Sequence, residues 1–373
     1  MFEGLGALNG TMSEESTASE YLSVDMTTTQ MDHTQITDRH TLSTLSSSRG
    51  IEFYFECAVV FIGVVGTAAN ALILYAMVAS KQHKKHVLVF NQNALDLYSC
   101  LLLVITYLTK LFDVQTTGPV GYSLCVMLLS ENLLWWGIDG SVINLVLITV
   151  ERYLKVVHAV WSKTRLRNWM PYAAAGISWI CGITYNMALC FSTTEVIDGV
   201  CYGYVIWKNR VAEVIHAVWN FVFFYVGVLC IFVCCYWRIL VVIRRQASVM
   251  ASHSAGGTST TQTQANQIQS NVIKTMILVS AFYGITWLPT KTYYLLVNVN
   301  NNLTLLESAY YTVLFISFLY ICTNPFIYAI KFDPVKRIVL GLIPCKKNAV
   351  QPVEIIETVS SRVAATRTAQ THN

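Results

Sequence analysis

An acid, a base and a phenol stand side by side at the end of an apolar segment of the chain. Val142 to Val150 carry no charge, and Glu151, Arg152 and Tyr153 follow directly. A guanidinium pairs with a carboxylate through charge-assisted hydrogen bonds and keeps its own charge at any physiological pH. Glu151 could therefore hold Arg152 until a proton neutralises the carboxylate. The simpler interpretation is an arginine whose side chain extends along the apolar segment to reach water.

Other ionisable residues interrupt apolar segments elsewhere in the chain. Asp96 and Asp139 are carboxylates in two separate segments, and Lys291 stands in a third. Such groups are costly to bury in lipid, so they usually face a protein interior or a water-filled cavity. The two carboxylates raise the question of an intramembrane enzyme, but no His and Glu at metal-ligand spacing and no nucleophile motif accompany them. The sequence therefore does not favour an enzyme.

The composition indicates that much of the chain lies in lipid. Of its 373 residues, 54% are hydrophobic and only 12% are charged, about half the charged share of a soluble domain. Mean hydropathy is +0.49. Crossing the hydrocarbon takes roughly 20 residues, and seven segments are long enough. They are predicted at about Glu52–Ser80, Val87–Phe112, Tyr122–Val157, Asn168–Phe191, Val211–Ile243, Val272–Val299 and Leu305–Ile330.

The distribution of Lys and Arg predicts the orientation of these spans. Basic residues follow the first span in "SKQHKKH", and they also follow the third, fifth and seventh spans. Cytoplasmic loops carry such an excess, so we expect the N-terminus outside the cell and the C-terminus inside. No signal peptide is visible, since the first 50 residues are polar. Two glycosylation sequons, at Asn9 and Asn302, both fall on the predicted outer side, and Asn9 is the predicted site.

The remaining segments divide the chain into four regions. Residues 1–51 and 346–373 are predicted to be disordered tails, the first extracellular and the second cytoplasmic. Residues 52–331 form the membrane domain, with a flexible Ser/Thr/Gln-rich loop at 246–270. Residues 332–345 predict an amphipathic helix on the membrane surface, because Val335, Ile338, Val339, Leu342 and Ile343 share one helical face. Cys345 is a candidate for palmitoylation, with an unmodified thiol as the alternative.

The polar residues inside the spans resemble those of rhodopsin-like (class A) G-protein-coupled receptors over about residues 52–345. Each motif falls in the matching span and in the family's order. The matching residues are Asn70 in "GTAANALIL", Asp96 in "NALDL", Glu151-Arg152-Tyr153, Trp179, Tyr236, Trp287 and Pro289 in "TWLP", and Asn324, Pro325 and Tyr328 in "NPFIY". Any one of these motifs is weak, whereas all of them in order make the resemblance specific.

The resemblance implies an all-α bundle of seven membrane helices that acts as a receptor in the plasma membrane. An extracellular ligand would move the cytoplasmic end of helix six outward, with Pro289 and Pro325 as bending points, and so activate a heterotrimeric G protein. The expected switch residues are Glu151, Arg152, Tyr153, Tyr236, Trp287, Pro289, Asn324, Pro325 and Tyr328. Receptor kinases, arrestin and membrane lipid are expected partners, and nucleic acid is not.

A membrane transporter or channel is the main alternative from another functional class. Transporters of known design repeat a pair of interrupted helices between two halves of the chain. The sequence shows no such repeat and no pore-like ring of charge. Ion flux without a G protein would favour this alternative.

The family also implies a disulfide and a cation site. Cys125 and Cys201 match the bridge between the top of helix three and the following outer loop. Cys125 stands slightly farther from Arg152 than in the family pattern, so the top of helix three is expected to be longer or irregular. Asp96, Ser141 and Asn324 match an allosteric sodium site. Tyr320 and Ile321 depart from that pattern, which leaves a water-filled polar cavity as the alternative, and no other cofactor is expected.

The class of ligand is constrained mainly by the absence of two residues that bind ligands in other members of the family. Leu134 replaces the aspartate of amine receptors and Phe318 replaces the lysine of opsins, so a biogenic amine and retinal are disfavoured. The predicted ligand-contacting residues are Glu131, Leu134, Trp135, Ile138, His216, Asn220, Trp287, Lys291, Tyr294 and Tyr311. This aromatic cavity with polar anchors favours a short neuropeptide, with an acidic small molecule or lipid as the alternative.

The sequence allows two roles for Lys291. Its ammonium could bind a ligand carboxylate, or it could form a buried pair with Asp139 that only fixes helix packing. Two further departures from the family concern activation geometry. Val228 stands where helix five usually has proline, and Tyr283 replaces a phenylalanine of helix six.

Overall fold

The computed structural model describes residues 29–112, 114, 116–203, 207–253, 260–300 and 307–331, together with residues 336, 338 and 341. Seven main helices follow one another along this part of the chain. Five of them are single helices: helix one is Thr29–Ala79, helix two Val87–Leu111, helix four Met170–Thr193, helix six Thr260–Val299 and helix seven Glu307–Lys331. Helix three consists of three consecutive segments, Gly118–Leu124, Cys125–Leu129 and Asn132–Val157. Helix five also consists of three segments, Arg210–Phe221, Val222–Gly227 and Val228–His253.

Three smaller elements connect these helices. A 3₁₀ turn, Gln82–Lys84, follows helix one, and a short helix, Ala159–Arg165, follows helix three. Strands Glu195–Ile197 and Val200–Tyr202 form an antiparallel hairpin after helix four. Asp198 and Gly199 turn this hairpin with φ of 52° and 80°, as expected of an Asp-Gly hairpin turn.

The seven helices form a bundle with helix three near its centre. Helix three packs against helices two, four and five, helix one packs against helices two and seven, and helix six packs against helices five and seven. Of the described helices, six are long and apolar enough to cross a membrane by length and composition. Large apolar side chains such as Phe61, Trp237 and Ile285 are exposed on the outer surface of the bundle. The seven helices and their packing confirm the predicted seven-helix fold, and the apolar outer surface suits lipid as the solvent.

The helices extend beyond several of the predicted boundaries. Helix one begins at Thr29, so residues 29–51 are helical where the sequence predicted a disordered tail. Helix five continues to His253 and helix six begins at Thr260, both within the predicted loop 246–270. Adding a residue to an existing helix costs much less than nucleating one, which favours such extensions of an apolar span. The predicted tail 346–373, Asn9 and Cys345 lie outside the described residues.

Only three residues of the predicted amphipathic segment 332–345 are described. Lys336, Ile338 and Gly341 have helical backbone geometry. Ile338 is partly buried against the hydrophobic core of the bundle. The other residues of the predicted apolar face lie outside the described part of the chain.

Helix three is interrupted near its outer end, as its long spacing from Cys125 to Arg152 predicts. Cys125–Leu129 is a π-helical segment, and Glu131 then adopts a left-handed backbone with φ of 62° before the long helix Asn132–Val157 begins. A π-helical turn accommodates more residues than an α-helical turn. The extra length is therefore absorbed in this segment.

Helix five contains a second π-helical segment, Val222–Gly227, directly before Val228. Helix five is thus irregular at this place although Val228 replaces the family's usual proline. Tyr225 donates a hydrogen bond to the carbonyl of Gly284 at 2.9 Å, and Tyr283 donates to the carbonyl of Phe224 at 2.5 Å. The hydroxyl of Tyr283, which a phenylalanine would lack, therefore ties helix six to the carbonyls that the irregular turn exposes.

Helices three and four approach closely at Gly182. A Cβ atom added at Gly182 would lie 2.6 Å from the carbonyl oxygen of Trp136 and 2.8 Å from its indole Cδ1. Gly176, on the same helix, has no atom within 4 Å of such a Cβ. The absence of a side chain at Gly182 is therefore what allows this contact.

We expect Gly182→Ala to destabilise the purified protein by about 1–3 kcal/mol, because the added methyl group forces the two helices apart. Thermal unfolding in detergent measures the effect. Gly176→Ala is the matched control and should leave stability unchanged or raise it slightly, since alanine is the better helix former. Equal melting temperatures for the two variants would contradict the close approach.

Candidate functional site

Arg152 lies at the inner end of helix three beside Glu151 and His86. Its guanidinium is 3.7 Å from the Glu151 carboxylate, and Lys155 is closer to that carboxylate at 2.5 Å. Arg152 Nη2 lies 3.2 Å from Nδ1 of His86, the residue that precedes helix two. The predicted Glu151–Arg152 pair is thus present, but Lys155 is the stronger partner of Glu151. The imidazole of His86 is a partner of Arg152 that the sequence did not indicate.

Two tyrosines of the predicted switch contact other groups. The hydroxyl of Tyr153 is 3.3 Å from Nε2 of His158. The hydroxyl of Tyr236 lies 3.0 Å from Thr149 Oγ1 and 3.2 Å from Ser280 Oγ. Tyr236 therefore joins helices three, five and six near their inner ends. Any separation of helix six from helix five must break the bond to Ser280.

The centre of the bundle holds a polar network around Asp96. Its carboxylate accepts hydrogen bonds from Ser141 at 2.6 Å, Asn324 at 2.9 Å and Gln92 at 3.4 Å. Gln92 also donates to Ser141 and accepts from Asn144 at 2.8 Å. The structure thus brings together the three residues predicted for a sodium site and adds Gln92. Its position one turn before Asp96 on helix two could have drawn attention to it.

The atoms around Asp96 include unpaired oxygens of the kind that bind hard cations. Asn324 Oδ1 and the hydroxyls of Tyr320 and Tyr328 are buried without a hydrogen-bond partner in the described part of the chain. Carboxylate, hydroxyl and amide oxygens suit Na⁺ as well as water. The donor set therefore fits a cation, although the Gln92 amide already satisfies one carboxylate oxygen. Pro325 lies inside helix seven, beside Asn324, and Pro289 lies inside helix six.

Lys291 lines a small cavity beside Trp287. Its ammonium lies 4.9 Å from the centre of the Trp287 ring and donates a hydrogen bond to Asn220 at 2.7 Å. Asp139 lines the same cavity and accepts from Asn186 at 2.9 Å. Among the described residues, the four ion pairs within 4.0 Å do not include one between Lys291 and Asp139. The geometry therefore disfavours a direct structural ion pair.

A hydrogen-bonded chain of side chains runs outward from Lys291 across helices six, five and four. An ammonium only donates, so Asn220 accepts from Lys291 and uses its own amide to donate to the Tyr185 hydroxyl at 3.3 Å. The Tyr185 hydroxyl lies 2.8 Å from His216 Nε2, and His216 Nδ1 lies 3.1 Å from the Tyr294 hydroxyl. The predicted residues Asn220, His216 and Tyr294 are therefore brought together. Tyr185, on helix four, was missed because no motif marks it.

Glu131 has structural partners at the break in helix three. Its carboxylate accepts from Lys110 at 2.5 Å, Tyr107 at 2.8 Å and Trp135 at 3.2 Å. The ring of Trp135 lies 6.0 Å from that of Trp287. Glu131 therefore fixes the orientation of a ring that packs against Trp287.

The other predicted ligand contacts are more deeply packed. Leu134 and Ile138 are fully buried in the hydrophobic core, so they support the cavity rather than open into it. The ring of Tyr311 packs 4.8 Å from Phe55 of helix one and 5.4 Å from Tyr310. The predicted set thus divides into cavity residues and a supporting layer.

The predicted Cys125–Cys201 disulfide is present. It joins the π-helical segment of helix three to the second strand of the hairpin, with Cα atoms 5.4 Å apart. Thr116 Oγ1 donates to the carbonyl of Gly199 at 2.6 Å and so attaches the hairpin turn to the segment before helix three. These two connections hold the hairpin over the outer end of the bundle.

The chain is similar to several known proteins. A family model described as "7 transmembrane receptor (rhodopsin family)" matches residues 69–328. The chain is 24% identical over 315 residues to lysophosphatidic acid receptor 3 of Rattus norvegicus, covering 79% of this chain and 80% of the relative. It is 24% identical over 283 residues to somatostatin receptor type 5 of Rattus norvegicus, with 72% of each covered. It is 25% identical over 293 residues to C5a anaphylatoxin chemotactic receptor 1 of Homo sapiens, covering 73% and 74%.

The fold is also similar to a solved structure. The crystal structure of squid rhodopsin matches with a TM-score of 0.66 at 14% sequence identity, covering 82% of this chain and 89% of that one. At this identity the match concerns the fold alone.

Proposed function

Because the chain belongs to the rhodopsin family of seven-transmembrane receptors, we propose that it carries a signal from an extracellular ligand to a heterotrimeric G protein. The family makes it a multi-pass membrane signalling receptor with a ligand and a G protein as partners. We place it in the plasma membrane, with the N-terminus outside and the C-terminus in the cytoplasm. Receptor kinases and arrestin are further proposed partners.

The observation that carries this proposal is the position of the Lys291 ammonium, 4.9 Å from the ring of Trp287. A ligand group that attracts Lys291 would change the contacts of Trp287, whose ring also packs against Trp135 and Tyr283. Pro289 lies two residues beyond Trp287, where the missing backbone hydrogen bond lets helix six bend. Ligand binding would therefore favour a second packing of helix six.

Outward movement of helix six would begin at the contacts that hold its inner half. The hydroxyl of Tyr236 bridges to Ser280 at 3.2 Å. Loss of this bond would allow helices five and six to separate at the inner end of the bundle, where Arg152 lies. The guanidinium would then be free to turn from its resting neighbours toward a bound G protein.

A short peptide is the ligand class we propose first. The polar chain from Lys291 to Tyr294 offers several separate anchors of the kind that a peptide uses. An acidic small molecule or lipid is the second candidate, and the buried ammonium of Lys291 favours it. The three relatives are named for three different ligands, so their names do not single out one class.

We propose that Na⁺ binds near Asp96. This proposal is supported by the Asp96 carboxylate, by the Ser141 hydroxyl that contacts it, and by the buried Asn324 Oδ1, which has no hydrogen-bond partner in the described part of the chain. An agonist affinity that does not change when sodium replaces another monovalent cation would reject it. A water molecule bound to the same oxygens would then be the better description.

We expect Arg152→Ala to reduce receptor-stimulated guanine-nucleotide exchange by a factor of about ten or more, since one lost charge-assisted contact is worth roughly 1.5–3 kcal/mol. Purified receptor in lipid nanodiscs with a purified G protein provides the measurement. Surface expression of the variant should match the wild type, because Arg152 lies at the inner end of the bundle. Exchange that is unaffected by the substitution, or ion flux without any G protein, would overturn the proposal.

A further inference from the structure

The contact between Arg152 and His86 has a fixed direction. Arg152 Nη2 lies 3.2 Å from His86 Nδ1. A guanidinium has only donors and does not lose its proton, so the imidazole nitrogen must accept. His86 is therefore neutral in this contact, with its proton on Nε2. An imidazolium could not make this bond, because both of its nitrogens are donors.

The charges near His86 oppose its protonation. In the described part of the chain, helix three presents Arg152, Lys155 and Glu151 to it, and Lys85 is its own neighbour in the loop. Glu151 is the one acid among them, and it is paired with Lys155 at 2.5 Å. Burial, and then the charge of Arg152, lower the pKa of His86 from 6.5 to about 4. The imidazole is therefore neutral at cytoplasmic pH as long as Arg152 stays in place.

We propose that His86 is a positioning residue that holds Arg152 in its resting place and releases it when the imidazole takes up a proton. This inference rests on the proposed function, because release of Arg152 has a consequence only if Arg152 serves the G protein. His86 lies outside the residues that the family resemblance marks. The device would make the receptor's ligand-independent signalling depend on pH at its inner face.

The direction of the pH effect follows from the two states of His86. When Arg152 turns away and water enters, the pKa of His86 returns toward its ordinary value of 6.5. The resting contact is therefore fully effective above that value and weakens as the pH falls from 6.5 toward about 4. Between about pH 7.5 and about pH 6.0, linkage predicts that the ratio of released to resting receptor rises about fourfold.

The experiment uses the full-length receptor in nanodiscs with a purified G protein and no ligand. Guanine-nucleotide exchange is measured at the two pH values and corrected with reactions that lack receptor, because the G protein has its own pH dependence. Wild type should show the roughly fourfold rise. His86→Gln keeps a neutral hydrogen-bond acceptor beside Arg152, so guanine-nucleotide exchange by this variant should stay low at both pH values. His86→Arg introduces a permanent cation, so guanine-nucleotide exchange by this variant should be raised several-fold at both pH values.

His158→Gln is the matched control. His158 also belongs to the inner side of helix three, but it contacts the hydroxyl of Tyr153 rather than Arg152. This variant should keep the wild-type pH profile. An identical pH profile in wild type and His86→Gln would overturn the inference.

A second measurement tests the contact without a G protein. NMR of ¹³C-labelled histidine in the purified receptor follows the His86 signal, which is assigned by its loss in His86→Gln. The signal should stay neutral down to about pH 5.5 in wild type, below the ordinary histidine value of about 6.5. In Arg152→Gln it should titrate at a higher pH than in wild type, because this variant removes the charge of Arg152 but not the burial of His86. Titration near the ordinary histidine value in wild type would overturn the inference. If instead this signal behaves as expected while Arg152→Ala leaves exchange unchanged, the proposed function fails and the contact stands.

Discussion

Replacing Cys201 with serine is expected to remove about 2–4 kcal/mol of stability from the receptor. The bond between Cys125 and Cys201 closes a loop with a sequence separation of 76 residues, which contains most of helix three and all of helix four. A cross-link over so long a loop strongly restricts the unfolded chain. It also holds the hairpin above the cavity, so ligand binding at the cell surface should fall together with stability. Thermal unfolding of the purified protein in detergent measures the first effect.

Cys181→Ser is the matched control for this experiment. Cys181 is an exposed free cysteine on helix four, within the same loop. Its replacement should leave the melting temperature and the surface binding unchanged. A Cys201→Ser protein as stable as the control would show that the hydrogen bond between Thr116 and Gly199 holds the hairpin without the disulfide.

The second large effect is expected for Lys291→Met, which should weaken the response to an acidic ligand about a hundredfold. Such a loss corresponds to roughly 2.7 kcal/mol, the size of a hydrogen-bonded ion pair in a buried site. A ligand tested as its carboxylate and as its amide provides the measurement. Wild type should prefer the carboxylate, and Lys291→Met should lose that preference. Lys274→Met, which removes an exposed lysine from the inner half of helix six, is the control.

The stability of the Lys291→Met variant distinguishes between the two roles that the sequence allows for Lys291. Breaking a buried ion pair by removing one partner costs roughly 3–5 kcal/mol. Lys291 and Asp139 have separate hydrogen-bond partners, Asn220 and Asn186, so we expect Lys291→Met to cost less than about 2 kcal/mol. A loss in the larger range with normal ligand potency would show that the lysine serves helix packing.

Much of the fold could be predicted because lipid imposes a simple rule on sequence. Backbone groups in hydrocarbon must be paired within a helix, so long apolar segments identify the spans. The Cys125–Cys201 bond and the bundle were predicted from the family pattern and are confirmed. The irregular top of helix three was expected from the position of Cys125. The left-handed backbone at Glu131 was not, because neither composition nor spacing indicates which residue absorbs the extra length.

The missed residues share a physical reason. Gln92, Tyr185 and His86 each act across an interface between helices, with partners 49, 31 and 66 residues away in the chain. Periodicity shows which face of a helix is apolar, but it does not show which polar groups of different helices meet. Such pairings depend on the rotation and depth of each helix, which only packing determines.

The break in helix three has a mechanical consequence. An unbroken helix transmits rotation along its whole length, whereas a residue outside helical geometry can act as a joint between two segments. Glu131 places this joint between the outer segment that carries the hairpin and the long inner segment Asn132–Val157 that carries Arg152. Rotation of the outer segment with the hairpin would therefore be transmitted less directly to the inner segment than along an unbroken helix. Another element must then carry movement to the cytoplasmic face, and helix six can do so because it lines the cavity with Tyr283, Trp287 and Lys291.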